Sequence, residues 1–221
     1  MESKTLRFDL YSWKQKRYNE LLEKADELVK IVSRFDSRIN IYSIYLKDDG
    51  EFGPVKFVNT CVPDSFMMAL FICYIQYDHI ASLFNSFVKL RAPMVFLRAR
   101  MYNEAKASWL FCCNVTVTEN TENYVMDAWS NPKDHLHMFD EFILGNDKLR
   151  AFELQFLLMT RKSLPTHMIV GLNHFDRWIL YDNSKLRYDN FNPKNADFED
   201  FTILLIGYVN IPQDNHRREG R

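Results

Sequence analysis

The sequence predicts an α+β domain, on three observations. Helical periodicity dominates the chain up to about residue 113, strand-like runs dominate it after Ala151, and no internal repeat interrupts that order. With 221 residues, 47% of them hydrophobic and 15% aromatic, one sizeable core is expected. The reading divides the chain into residues 1–45, an amphipathic helix and a strand packed on the main domain, the main domain at 46–211, and a flexible basic tail at 212–221.

The elements follow in order. Tyr18, Leu21, Leu22, Ala25, Leu28, Val29 and Val32 recur at helical spacing, with Glu20 to Lys24 and Asp26 to Lys30 as pairs on the wet side. Arg38 to Leu46 alternates as a strand does, and Asp48-Asp49-Gly50 reads as the turn that ends it. Phe66 to Tyr77 is apolar on every side, which implies a buried helix. Pro63 suits the first helical position and Asp64 the positive end of its dipole, so Cys61 is placed just ahead of the helix. His79 to Arg91 and Met94 to Cys113 read as further helices separated by Pro93, and Asp134 to Leu144 as a short one. Glu119 to Asn123 and Asn131-Pro132 read as loops. Phe152 to Met159, Thr166 to Leu172, Arg177 to Tyr181 and Phe201 to Val209 read as the strands of an antiparallel sheet.

Composition excludes several functions. A net charge of −1 leaves no excess of Lys and Arg for nucleic acid or an anionic membrane surface. The N-terminal stretch, with Lys14, Lys16, Arg17, Glu20 and Glu23, is too charged for a secretory signal. The longest apolar runs fall short of the roughly 20 residues of a membrane span. Cys61, Cys73, Cys112 and Cys113 show neither a disulfide framework nor zinc spacing, which fits reduced thiols in the cytoplasm or nucleus. Asn114-Val115-Thr116 then reads as a chance glycosylation triplet. Asp134-His135-Leu136-His137 lacks a third ligand, and Asp134 suits an N-cap, so no metal site and no cofactor are assigned.

The chemistry rests on Cys61 and His167. A thiol near a helix N-terminus gains from the positive end of the dipole, and an imidazolium beside it adds to that gain; the alternative is a structural cysteine, as Cys73, Cys112 and Cys113 are read to be. If Asn173 to Asp176 forms a four-residue hairpin loop, Leu172 faces Arg177 and His167 lies directly opposite Asp182, Cβ atoms ~5 Å apart. Asp182 would then hold one ring nitrogen and free the other for a thiol proton. A loop of odd length puts Asn183 there instead. His174 falls at the loop tip, in solvent. Trp178 is read as packing behind the acid, and Asn59 as either an oxyanion donor or a turn residue.

Asn59-Thr60-Cys61-Val62-Pro63-Asp64-Ser65 ahead of an apolar helix, with Thr166-His167-Met168 and then Trp178-Ile179-Leu180-Tyr181-Asp182-Asn183, resembles the papain-like cysteine peptidases. The closer resemblance is to the ubiquitin-specific protease family. Its cysteine box reads Asn-Thr-Cys-Tyr-x-Asn-Ser, and its histidine box runs Gly-His-Tyr, a hairpin, and Trp-x-x-Phe-Asp-Asp. The resemblance implies a papain-like fold with a helical half packed on an antiparallel sheet over 46–211. It further implies Cys61 as nucleophile, His167 as base and Asp182 as the orienting acid, with Asn59, Asn183 and Trp178 in support. Ubiquitin, a ubiquitin-like protein or another protein is the implied partner. The chain departs from the family pattern at Lys56, where an oxyanion donor is usual, and at Val58, where glycine is usual, and it lacks the zinc-finger insertion; in this it resembles compact domains of viruses or mobile elements. Those departures favour the alternative, a pseudoenzyme that binds a protein without turning it over.

Overall fold

A computed structural model of the chain describes residues 9–32, 39–113, 117–119, 124–130, 134–135, 152–175, 177–185, 187–193 and 200–210. Most of the expected helix at 134–144, the triplet at 114–116, the residues at 120–123 and 131–132, and the tail at 212–221 lie outside these.

Helix α1, Leu10–Val32, starts where Asp9 accepts the Ser12 N–H (3.1 Å), one of the donors that the first turn leaves unpaired, and also the Ser12 hydroxyl (2.6 Å). Its Leu21 and Ala25 are buried. Lys24, expected to pair with Glu20, and Asp26, expected to pair with Lys30, reach tertiary partners. Lys24 Nζ reaches Glu104 (3.1 Å) and Asp26 accepts from Arg91 (2.6 Å), which ties α1 to α4, Val88–Arg98, and α5, Tyr102–Leu110.

No strand forms from Arg38 to Leu46 among the described residues. Asn40 accepts the Tyr42 N–H at 3.1 Å and nucleates a single 3-10 turn, Ile41–Ser43. The N–H and C=O of Leu46 are then taken by the Tyr181 hydroxyl (2.9 and 3.0 Å) instead of a ladder. The strand comes later, within what reads as a turn. β1, Asp49–Phe52, and β2, Val55–Val58, form a hairpin about Gly53, whose φ of 58° suits glycine. β4, Tyr124–Asp127, adds parallel to β2, and β3, Val117–Glu119, lies antiparallel outside it. Strands this short carry too little alternation to be read locally.

Helix α2, Cys61–Gln76, is buried along its whole length, as its uniformly apolar sequence requires. α3, Asp78–Ser86, and α4 follow. Pro93 does not separate helices but sits inside α4. The breaks fall at Phe87, which is extended, and at Arg100, left-handed at φ 59°. Met101 N–H bonds Phe96 C=O (2.9 Å) and Arg100 N–H bonds Leu97 C=O (3.1 Å), a Schellman stop built without glycine. Burial of Leu90, Met94, Phe96 and Leu97 on both sides of the proline offsets its lost hydrogen bond.

The five-stranded antiparallel sheet runs in the order β8, β7, β6, β5, β9, with β5 Phe152–Arg161, β6 Leu164–His174, β7 Arg177–Asp182, β8 Arg187–Asn190 and β9 Phe201–Asn210. The polar β8 has no signature in the sequence. Phe156, Leu158, Met168, Val170, Leu172, Ile179 and Tyr181 belong to the main core with α2, while Leu157, Met159, Ile169 and Leu180 form a second cluster. The C-terminal end of α2 is fastened to the β6–β7 hairpin: Gln76 Nε2 donates to Asn173 C=O (2.8 Å), and Gln76 Oε1 accepts the Phe175 N–H (2.6 Å). The class is α+β, and the helix that begins with Cys61 lies against the strand that carries His167.

Candidate active site

Thr60 occupies the N-cap of α2 and Cys61 is its first helical residue, one step inside the helix rather than ahead of it. Pro63 falls third, where its missing N–H still costs no intrahelical bond. The thiol therefore sits at the positive end of a fully buried helix, itself only 3% exposed.

His167 lies on β6 and Asp182 ends β7. His174 pairs with Arg177, so two positions and not four separate the paired residues. The register moves by two, and the last rung is Val170 with Tyr181. Because the error is even, the faces are preserved. His167 and Asp182 are diagonal rather than opposed, and Nε2 still meets Oδ1 at 2.9 Å. Asn183 does not take that place; its amide bonds Asp64 Oδ2 at 3.0 Å.

Asp182 Oδ1 also accepts the N–H (3.1 Å) and hydroxyl (2.6 Å) of Ser184. Burial opposes ionisation of Asp182, but the bonds from His167 and Ser184 outweigh it and hold the carboxyl well below the usual range. His167 is lifted to about 9, first by its hydrogen bond to Asp182 and then by its contact with the Cys61 thiol, against the effect of burial. With Nε2 committed to Asp182, Nδ1 is the ring nitrogen left for the sulfur.

A second carboxylate joins these. Ligand-type atoms of Asp48, Cys61 and His167 lie within 4.8 Å of one another. Burial raises the pKa of Asp48, while His167, Lys106 and the backbone N–H groups of Thr60 and Cys61 draw it down. Its Oδ1 is buried with no hydrogen-bond partner. Turn chemistry accounts for Asp48-Asp49-Gly50 in the sequence, so nothing local marks this acid.

Lys106 is the other residue missed. Its ammonium is buried and donates to Asp64 Oδ2 (2.9 Å), Thr60 Oγ1 (2.8 Å), Asp49 C=O (2.8 Å) and Lys47 C=O. It thereby joins the start of α2 to the segment that carries Asp48. Burial pushes Asp64 up to about 6, although Lys106 favours its charged form. The signal was available: a single lysine among Ala105 to Leu110, all buried, requires a buried acceptor.

The expected supporting residues divide. Asn59 is exposed and left-handed (φ 56°), and its amide bonds Asp127 Oδ1 at 2.9 Å, which commits one of its two N–H donors to that carboxylate. Trp178 packs on Phe191 (centroids 6.2 Å) beside the second cluster, opposite Asn173 and at the far end of β7 from Asp182. His174 is not solvated at a loop tip but half-buried, edge-on to Tyr42 and Phe175. His135 is a core histidine, accepting from Trp109 Nε1 (3.0 Å) and within 2.7 Å of Ser130 Oγ. Lys56 is exposed on β2, opposite Glu51.

Compared with known proteins, the chain matches no family model, no curated protein and no solved structure.

Proposed function

We propose that the chain is a cysteine-dependent hydrolase of peptide or isopeptide bonds on a papain-like fold, acting on ubiquitin or a ubiquitin-like protein. The observation that carries this is the meeting of the Cys61 thiol, the His167 ring and the Asp182 carboxylate, which come from three separate elements. Asp182 fixes Nε2–H, and His167 Nδ1 removes the thiol proton. The sulfur attacks the carbonyl carbon, the imidazolium returns that proton to the departing amine, and a thioester remains. Water, deprotonated by His167, then releases the acid and restores the thiol. The choice of substrate rests on the cysteine and histidine boxes. Four free cysteines suit a reducing compartment, the cytoplasm or nucleus, and no described helix is long and apolar enough to cross a membrane.

A second reading, a protein-binding pseudoenzyme, is favoured by the 3% exposure of Cys61 and by the Asn59 amide being turned to Asp127. A ubiquitin derivative with a C-terminal electrophile separates the two. The hydrolase reading expects labelling of the wild type and none of Cys61→Ala. An unlabelled wild type that binds ubiquitin or another protein establishes the scaffold.

A further inference from the structure

The geometry points to a zinc-class cation site formed by Cys61, His167 and Asp48, whose occupation silences the thiol. Three ligand types converge there: a thiolate sulfur, an imidazole nitrogen and a carboxylate oxygen, all within 4.8 Å of one another. That mixture is borderline-soft and suits Zn(II) or Co(II), whereas Mg(II) and Ca(II) prefer oxygen throughout. Three protein ligands with an open fourth position are the arrangement of a reactive zinc site rather than a closed structural one.

Two independent features support the cation. Asp48 Oδ1 is buried without a hydrogen-bond partner, an arrangement that costs free energy until something positive or protic meets it. His167 already donates Nε2–H to Asp182 at 2.9 Å, the outer carboxylate that commonly orients a metal-binding imidazole and presents its other nitrogen. Bond lengths of 2.0–2.3 Å put tetrahedral ligand atoms about 3.3–3.8 Å apart, so from within 4.8 Å the cluster must close by up to about 1.5 Å. Asp48 lies between the 3-10 turn and β1, in neither helix nor strand, where a small shift breaks no ladder. Binding expels the thiol proton to solvent and occupies both the sulfur and Nδ1.

The site does not depend on Cys61 turning over a substrate. The test is anaerobic titration of the full chain with Co(II), reading the sulfur-to-cobalt charge-transfer absorption. Expected are one equivalent bound, displacement by Zn(II) but not by Mg(II), and loss of the band in Cys61→Ala. Asp182→Asn weakens binding about ten- to a hundredfold, and Asp48→Ala and His167→Ala weaken it further, each variant being checked for native circular dichroism. Absence of the band in wild type, its survival in Cys61→Ala, or unchanged affinity in a folded Asp48→Ala overturns the proposal. Electrophile labelling in chelator separates the two conclusions. Labelled protein that binds no cobalt sinks the metal site alone, and cobalt binding by protein that never labels upholds the site while sinking the hydrolase.

Discussion

His167 Nε2 and Asp182 Oδ1 stand 2.9 Å apart beyond the last rung of the ladder that carries them. The two strands bring them to the same face, and the contact itself is made by side chains past the end of regular pairing. Ser184, just after β7, supplies two more donors to the same oxygen, so the turn that ends the strand also holds the acid in place.

Replacing Asp182 with Asn removes the largest influence that holds His167 near 9. The imidazole pKa, followed by NMR titration, should fall toward the 6.5 of an unperturbed ring. Alkylation of Cys61 near neutral pH should slow with it. An unmoved imidazole titration would show that the hydrogen bond is not what charges the ring.

The same shift has a sign in stability. Because folding raises the His167 pKa from 6.5 to about 9, its contribution is complete below pH 6.5 and is lost as pH rises through about 9. The melting temperature of the wild type should therefore decline between these limits more than that of His167→Gln. Parallel profiles for the two proteins would contradict this.

Lys106→Met leaves Asp64 buried without its cation and should cost about 3–5 kcal/mol, read from urea denaturation. The double variant Lys106→Met with Asp64→Leu should recover a large part, since two apolar groups replace a buried pair. Thiol reactivity should fall in the single variant, because the same ammonium joins Thr60 to the backbone on both sides of Asp48.

Tyr181→Phe deletes the hydroxyl that serves both the N–H and the C=O of Leu46. Each buried group left unsatisfied costs about 1–3 kcal/mol. Hydrogen exchange at the Leu46 amide should accelerate beyond the global change in stability, since the segment leading to Asp48 loses its tether to β7.

The sequence by itself determined the local features. The amphipathic α1, the uniformly apolar α2 with Cys61 at its head, and the long strands β5, β6, β7 and β9 each carry a period or a composition that belongs to one element alone. The parity of the β6–β7 hairpin was left open between Asp182 and Asn183 by the sequence, and the observed pairing of His174 with Arg177 makes it even and so selects Asp182. Only the tertiary structure decided what depends on distant partners. The segment ending at Leu46 makes a 3-10 turn and no ladder, and Tyr181 takes the hydrogen bonds of Leu46. Pro93 stays within a helix because the surrounding core offsets its cost. Asn59 is drawn away to Asp127, and Asp48 and Lys106 reach the head of α2 from positions whose neighbours in sequence give them other roles. A side chain's periodicity can be read along the chain, but the partner that satisfies a buried charge is fixed only when separate elements pack together.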